Sequence, residues 1–235
     1  MVRKFLAFDL ETLKEFPSGN WRDFKPLGIS CAAMLPSDTG QIITWYGRTP
    51  APGPAQQMSR EEVISMVRGL QAMVNPGGYT LLTWNGLNFD FPILGDESGL
   101  VAECRELAAN HVDMMFQVFC ITGHYLALNT AATGMGLPGK APGVTGKEAP
   151  RFWSEGRHDE VLEYLAQDVR TTADVAQSCQ DRGSLLWTSR AGNRQEIDLT
   201  SGWLPVSQAV NLPEPDTSWM TNPATRNDFT NWLQD

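Results

Sequence analysis

The chain has 235 residues, of which 42% are hydrophobic, and its 18 basic and 27 acidic side chains give a net charge of −9. A chain of this length and composition can bury one sizeable core, so we expect a single domain with a C-terminal elaboration. The acidic balance argues against a protein that grips long duplex DNA through sequence-independent charge attraction.

The cysteines and the apolar segments indicate the cellular compartment that we expect for the protein. Cys31, Cys104, Cys120 and Cys179 show neither close pairing nor a zinc-ligand spacing with the three histidines, which indicates reduced thiols in a cytoplasmic protein. The N-terminal apolar run is interrupted by Asp9 and is too short for a signal peptide. No stretch approaches the length of a membrane span, so we expect no membrane partner.

The first predicted element is a buried strand from Arg3 to Phe8 that continues into Asp9 and Glu11. The first motif, Phe8 to Thr12, contains both acidic residues. Because strand side chains alternate between faces, these two carboxylates are expected to point the same way. Adjacent carboxylates repel, which raises one pKa or recruits a cation, and such oxygen ligands suit Mg²⁺ or Mn²⁺. A surface Asp and Glu that merely end a strand are the alternative.

The next elements are predicted to extend a sheet around the first strand. Residues 27–34 and 41–46 are predicted to be paired strands joined by a turn at 36–40. A helix over 59–74 is indicated by a capping box, in which Ser59 is followed three residues later by Glu62. The strand at 79–84 is then expected to return beside the first.

The second motif spans Trp84 to Pro92 and follows that strand directly. Gly86 and Asn88 are turn formers, so Asp90 is predicted to start a helix whose first turn tolerates Pro92. In isolation, Asp90 could equally be a plain helix cap.

Two further polar residues, His111 and Asp113, are tempting as extra ligands. Aspartate is a preferred residue immediately before a helix. We therefore expect Asp113 to cap the helix that starts with Met114.

The third motif lies on a long predicted helix from Asp159 to Arg182, in which Tyr164 and Asp168 are one turn apart. Both border the apolar stripe of Val161, Leu162, Leu165, Val169, Ala173 and Ala176. An aspartate beside a core-facing stripe needs a partner, either a metal ion or a neighbouring backbone or hydroxyl group.

The segment from Gly134 to Gly156 is rich in Gly and Pro and is predicted to be a mobile basic loop near the active-site cleft that meets the nucleic-acid backbone. Its cations and their flank are Lys140, Lys147, Arg151 and Arg157. A solvated linker with incidental charges is the alternative.

The C-terminal residues are predicted to form a hairpin from Leu186 to Leu199, turned at 191–193. The irregularly spaced tryptophans at 187, 203, 219 and 232 favour packing over base stacking. The segment from Pro213 to Asp235 is expected to dock on the domain or on a partner.

Together, the three motifs resemble those of the DEDD exonucleases, also called DnaQ-like, in the subtype whose third motif carries tyrosine. They are similar to the proofreading exonuclease domains of family B DNA polymerases. Glu163 stands where the histidine subtype would carry its histidine. The resemblance covers residues 1 to about 180. It implies an α/β, RNase H-like fold with a mixed five-stranded sheet flanked by helices, with the exonuclease domain over 1–183 and an extension over 184–235.

The resemblance also implies a site for two divalent cations, Mg²⁺ or Mn²⁺, held by Asp9, Glu11, Asp90 and Asp168. In this arrangement Asp9 bridges both cations, Glu11 and Asp168 complete the site that presents the attacking water, and Asp90 acts on the other cation. Tyr164 is expected to orient the water or the scissile phosphate, because a phenol with a pKa near ~10 keeps its proton at neutral pH.

The implied reaction is 3′-to-5′ hydrolysis of single-stranded DNA or RNA from its 3′ end, with DNA favoured and nucleoside 5′-monophosphates released. The expected substrate contacts are Thr12, Leu13, Asn85, Asn88, Phe89 and Lys140. Of these, Phe89 is equally suited to plain core packing. The alternative function is a binding module for nucleic acid or protein that keeps the fold and no longer cuts.

Overall fold

The protein is described here by a computed structural model that covers residues 3–16, 20–50, 53–139 and 145–234. Its strands are β1 Phe5–Thr12, β2 Ile29–Pro36, β3 Ile43–Tyr46, β4 Thr80–Thr83, β5 Val112–Asp113, β6 Ser184–Thr188 and β7 Arg194–Asp198. Its α-helices are α1 Arg60–Val74, α2 Asp90–Ser98, α3 Val101–Asn110, α4 Met114–Thr122, α5 Leu128–Gly134, α6 Ala149–Ser154, α7 His158–Arg182, α8 Val206–Ala209 and α9 Asn227–Thr230. Two 3-10 helices span Trp21–Phe24 and Asn231–Leu233.

Five strands form one mixed sheet in the order β3-β2-β1-β4-β5. The first three are antiparallel, whereas β4 runs parallel to both β1 and β5. This confirms the predicted antiparallel start and the return of β4 beside β1. Because β1 lies at the centre of the sheet, between β2 and β4, side chains at its C-terminal end can contact segments that precede and follow β4 in the chain.

The two faces of β1 are covered by different helices. Leu6, Phe8 and Leu10 are buried in a core that includes residues of α1, α2 and α3. Phe5 and Ala7, which point the other way, are buried in a core that includes residues of α7. The alternation continues to the end of the strand, so Asp9 and Glu11 share the face of Ala7, toward α7.

The two helices with the clearest sequence signals form as predicted. In α1, the Ser59 hydroxyl accepts from the Glu62 N–H, and the Glu62 carboxylate accepts from the Ser59 N–H. In α7, four residues of the predicted apolar stripe are buried and two, Leu162 and Ala173, are partly buried. The helix is followed by Gly183, which has a φ of 78°. None of the helices in the described ranges combines the length and the apolar character needed to cross a bilayer.

Part of the segment predicted to be a loop is helical, which corrects the sequence prediction. Residues 149–154 form α6, with Pro150 in its first turn, where a missing N–H costs no hydrogen bond. Trp153 is fully buried, and its indole N–H donates to the carbonyls of Ala55 and Gln56 at 3.2 and 3.0 Å. These contacts with distant residues stabilise the helix. The Gly and Pro content of the local sequence favours a loop instead.

The C-terminal residues form the predicted hairpin of β6 and β7, turned at Gly192. Trp187 and Trp203 are buried, as expected for packing, whereas Trp219 is 69% exposed. The predicted domain boundary at residue 183 stays a prediction.

The segment after residue 213 packs on the domain. Phe229 is fully buried against the rings of Phe116 and Phe119. The indole N–H of Trp232 donates to the Leu87 carbonyl at 2.8 Å, and the Trp232 carbonyl accepts from Arg105 at 2.8 Å. The end of the described chain thereby contacts the loop of the second motif.

Candidate active site

The first and second motifs meet where β1 extends beyond its parallel neighbour. β4 pairs with β1 only as far as Ala7, opposite Leu82. The backbone N–H of Leu10, further along β1, donates instead to the Asp90 carboxylate at 3.1 Å. The Asp9 side chain also hydrogen-bonds to the Asp90 carboxyl group. The chain segment from β4 to α2 therefore places Asp90 directly against the acidic end of β1.

Asp90 occupies an environment that disfavours its charge. The side chain is 3% exposed, and burial followed by the nearby charge of Asp113 raises the pKa of Asp90 to about 7. A hydrogen bond between the Asp9 and Asp90 carboxyl groups requires a proton between them. Their closeness makes this corner one in which a cation would replace a shared proton.

The third motif brings a tyrosine and a fourth carboxylate to the same place. Tyr164 and Asp168 lie one turn apart on α7, and the Asp168 side chain is 6% exposed. Tyr164 hydrogen-bonds to Asp168. Burial raises the pKa of Tyr164 above its usual value, and the negative charges of Glu11, Asp168 and Asp9 raise it further. The phenol therefore keeps its proton and acts as a hydrogen-bond donor.

Glu11 completes the acidic group on the α7 face of β1. It is 7% exposed and lies opposite Cys31 on β2. Burial raises the pKa of the Cys31 thiol, and the charges of Glu11 and Asp9 add to this effect. Cys31 is thus a neutral neighbour of the carboxylates.

Asp113 caps α4 as predicted, with its carboxylate accepting from the Phe116 N–H at 3.0 Å. It also accepts from the N–H groups of Asn85 and Leu87 at 3.0 and 2.8 Å. These bonds hold Asn85 with a φ of 77°, which is uncommon for a residue other than glycine. The sequence reasoning found the cap and missed that the same carboxylate fixes the second motif.

His111 is a core histidine rather than a ligand. Its side chain is buried, and burial lowers the pKa of His111 to about 3, so the ring is neutral. The ring nitrogens lie 3.0 Å from the Thr83 hydroxyl and 2.6 Å from the Ala108 carbonyl. Both nitrogens are therefore occupied inside the core.

The predicted substrate contacts at the end of β1 lie beside the carboxylates. Thr12 is buried, and its hydroxyl donates to the Lys14 carbonyl at 3.2 Å. Leu13 is partly buried against the α7-side core. Lys140 lies outside the described residues, so its predicted contact stays a prediction.

The predicted contacts in the second motif are engaged by the chain between β1 and β2. The Asn88 amide oxygen accepts from Arg22 at 3.0 Å. The ring of Phe89 packs against Phe16 and Trp21, with ring centroids 6.0 and 5.7 Å away. The Phe89 side chain therefore packs against its neighbours, and its predicted substrate contact stays a prediction. The buried Asn85 amide oxygen has no hydrogen-bond partner in the described part of the chain.

The expected basic loop is partly neutralised by its own neighbours. Arg151 pairs with Glu155 at 2.9 Å, and Arg157 pairs with Glu160 at 2.6 Å. The segment nevertheless reaches the site, because a Cβ added at Gly146 would stand 3.5 Å from the Tyr164 hydroxyl.

The donors suit a divalent cation in type. Across the described ranges, no group of three or more His, Cys, Asp or Glu side chains is arranged as a finished metal site. Asp9 is paired with Asp90, and Asp168 with Tyr164. All four carboxylates supply hard oxygen atoms, and a cation would relieve the unfavourable charge of Asp90. The residues therefore fit Mg²⁺ or Mn²⁺ by donor chemistry.

Comparison with known proteins supports the fold assignment. The family model of the RNase_H superfamily matches residues 41–180, more than half of the chain. A comparison with curated proteins finds no match. The matched range includes Asp90, Tyr164 and Asp168 and begins after the β1 and β2 strands. The chain therefore belongs to the RNase_H superfamily, and this membership indicates a nuclease-type activity on nucleic acid.

Proposed function

We propose that the protein is a metal-dependent 3′-to-5′ exonuclease that removes nucleoside 5′-monophosphates from the 3′ end of single-stranded nucleic acid, with DNA favoured. The observation that carries this proposal is the meeting of Asp9, Glu11, Asp90, Tyr164 and Asp168 at the C-terminal end of β1. Superfamily membership supports the nuclease part. The order and spacing of the three motifs support the exonuclease part.

Asp9, Glu11, Asp90 and Asp168 would hold two divalent cations, Mg²⁺ or Mn²⁺. When bound, such cations lower the pKa of a water molecule and neutralise charge on the phosphate and the leaving oxygen. The protein contributes a largely buried group of carboxylates, in which Glu11, Asp90 and Asp168 are each less than 10% exposed. The low exposure strengthens the attraction of these groups for a cation.

Tyr164 would position the reacting groups rather than remove a proton. Its hydroxyl stays protonated at neutral pH, because burial and the surrounding carboxylates raise its pKa. The hydrogen bond to Asp168 fixes its direction at one end of the site. Because its single proton is donated to Asp168, the phenol would orient a water molecule through its oxygen, and would donate to a phosphate oxygen only after releasing Asp168.

The charge of the protein favours a short, single-stranded end over a duplex. With a net charge of −9, the chain gains little from general attraction to the phosphate backbone. A 3′ end held near Thr12 and Leu13 requires only local contacts. Base stacking is sequence-tolerant, so such a site would accept different terminal nucleotides.

The test uses single-stranded DNA and RNA oligonucleotides labelled at the 3′ or the 5′ end, with Mg²⁺, Mn²⁺ or EDTA. We expect the 3′ label to appear at once as a mononucleotide and the 5′ label to appear in a descending ladder, with no cleavage in EDTA. Asp168→Asn should abolish this activity. Asp174→Asn, on the exposed face of the same helix, is the matched control. An oligonucleotide that stays intact with either metal would instead support the non-cutting binding module.

A further inference from the structure

A small aromatic and basic cluster lies directly beside the second motif. The indole N–H of Trp21 donates to the Asn88 carbonyl at 3.1 Å, and Arg22 donates to the Asn88 amide oxygen at 3.0 Å. The Trp21 ring meets the Phe89 ring edge-on at 5.7 Å. Asn88 and Phe89 immediately precede Asp90. The 3-10 helix Trp21–Phe24 is thus anchored to the loop that carries a proposed metal ligand.

The cluster contains two cations next to the Trp21 ring, and a further aromatic residue, Phe24, follows in the same 3-10 helix. The Arg22 guanidinium lies 4.6 Å from the centre of the Trp21 ring, and the Lys25 ammonium lies 5.4 Å from it. Phe24 is 37% exposed, which is unusual for a large apolar side chain in this protein. The rigid anchoring of Arg22 through Asn88 reduces the entropy lost when it binds an anion.

Two exposed acidic side chains accompany the cluster, Asp23 in the same 3-10 helix and Asp96 on α2, so the attraction for an anion is local to Arg22 and Lys25. Lys25 pairs with Asp96 at 2.6 Å, and both side chains are more than one third exposed. Exposed pairs of this kind contribute about 0–1 kcal/mol, so a phosphate can compete for the lysine. The protein is acidic overall, so Arg22 and Lys25 supply a local attraction for the phosphates of a strand that approaches the carboxylates.

We propose that Trp21, Arg22, Phe24 and Lys25 form a subsite, here called the Trp21 platform, for the nucleotides on the 5′ side of the terminal nucleotide of a single strand. Arg22 and Lys25 contact the phosphates, Phe24 stacks on a base, and Trp21 supports both cations. The proposal rests on the proposed exonuclease function and names a substrate contact of that same site.

The test compares two double variants. Phe24→Ala/Lys25→Gln removes the exposed ring and one cation of the platform. Lys4→Gln/Ile43→Ala is the matched control, because Lys4 also pairs with an aspartate, Asp38 at 2.8 Å, and also lies 5.4 Å from a ring centre. Ile43 is 40% exposed. Lys4 precedes β1, at the end opposite the carboxylates.

The first readout is catalytic and uses two substrates. One is a single-stranded 12-mer of thymidylate, and the other is the p-nitrophenyl ester of thymidine 5′-monophosphate, which has no further nucleotide. For the platform variant we expect the ratio of kcat/KM on the 12-mer to kcat/KM on the ester to fall about fivefold or more, the effect of one lost stacking contact. An unchanged ratio, with both activities lowered alike, would overturn the proposal, because a purely structural role lowers both.

The second readout is binding and does not depend on cleavage. The affinity of a fluorescein-labelled 12-mer is measured in EDTA over a range of salt concentrations. We expect the platform variant to bind about fivefold more weakly than the wild type. The slope of the logarithm of its binding constant against the logarithm of the salt concentration should be smaller in magnitude by about 0.7. The control variant should bind like the wild type. If the wild type cuts neither substrate but the platform variant still binds the 12-mer more weakly than the wild type does, the exonuclease proposal fails and the platform stands as a binding site. Equal binding by all three proteins would refute the platform.

Discussion

Two strand-to-helix corners of this protein use the same residue type in different ways. At the corner from β5 to α4, the Asp113 carboxylate accepts from the N–H groups of Asn85, Leu87 and Phe116. At the corner from β4 to α2, Asp90 is the first residue of the helix, which has no side-chain cap. Its carboxylate accepts from Leu10 of β1 and meets another carboxyl group.

The comparison separates a structural carboxylate, Asp113, from one that we propose as a metal ligand, Asp90. Burial raises the pKa of both groups, to about 6 for Asp113 and about 7 for Asp90. Several fixed backbone dipoles stabilise the charge of Asp113, so that it needs no further partner. Asp90 meets Asp9 instead, and a cation would stabilise the ionised forms of both. The partners of a buried aspartate therefore say more about its role than its burial does.

The largest expected effect tests the corner of Asp90. Asp90→Asn keeps an oxygen for the Leu10 N–H and removes the charge, so the fold should persist while hydrolysis of a 3′-labelled oligonucleotide falls on the order of 100- to 1000-fold. Glu106→Gln, on the exposed side of the neighbouring helix α3, is the control. A loss of only a few-fold would mean that Asp90 is not part of the catalytic group.

The next effect tests the corner of Asp113. Asp113→Ala leaves three buried N–H groups without their acceptor, so we expect the free energy of unfolding to fall by about 3 kcal/mol or more. Asp113→Asn, which still offers one oxygen, should lose less. Urea unfolding in EDTA measures both, and equal losses would show that the hydrogen bonds of this carboxylate contribute little.

A third effect appears in the pH dependence of the metal-free protein. The folded-state pKa of Asp90 is raised to about 7, above an unfolded value near ~3.9, so its contribution to stability is full below the unfolded pKa and is lost as pH rises through 7. Between pH 5 and 7 this loss amounts to about 2 kcal/mol.

Comparison with Asp90→Asn isolates this contribution. The folded-state pKa of His111 is lowered to about 3, so the contribution of His111 to stability is lost as pH falls below ~6.5. This loss runs opposite to that of Asp90, and it is the same in the wild type and in Asp90→Asn. Unfolding in EDTA at pH 5, 6 and 7 gives the difference between wild type and variant. Parallel stability curves for the two proteins would contradict the raised pKa of Asp90.

The smallest expected effect concerns the hydroxyl of Tyr164, which lies beside the Asp168 carboxylate on α7. Tyr164→Phe removes one positioning donor, so the hydrolysis rate should fall about tenfold with little change in the Mn²⁺ concentration that supports half of the activity. Tyr79→Phe is the control, since its hydroxyl also donates to an aspartate, Asp38 at 2.6 Å, at the opposite end of the sheet. An unchanged rate would remove Tyr164 from the mechanism.

The sequence predicted most of the framework because the signals were local. Strand alternation predicted that Asp9 and Glu11 share a face, and helical spacing predicted that Tyr164 lies one turn from Asp168. The capping preference of aspartate predicted the role of Asp113 at α4. These inferences need only residues within a few positions of one another.

The remaining features depend on contacts between distant residues. The bond from Leu10 to Asp90 forms because β4 ends its pairing opposite Ala7, which no local pattern reveals. The second role of Asp113 joins residues that are 26 and 28 positions apart. Helix α6 owes its stability to Trp153, whose indole reaches carbonyls nearly 100 residues earlier.

The hydrogen bond from Trp232 to the Leu87 carbonyl also has a consequence for how the protein is made. Leu87 leaves the ribosome long before Trp232, which lies 145 positions later in the chain. Since synthesis proceeds from the N-terminus, the loop before Asp90 lacks this contact until translation has passed residue 232. A nascent chain can thus build its central sheet early, while the loop before Asp90 gains this support only after residue 232 has been added.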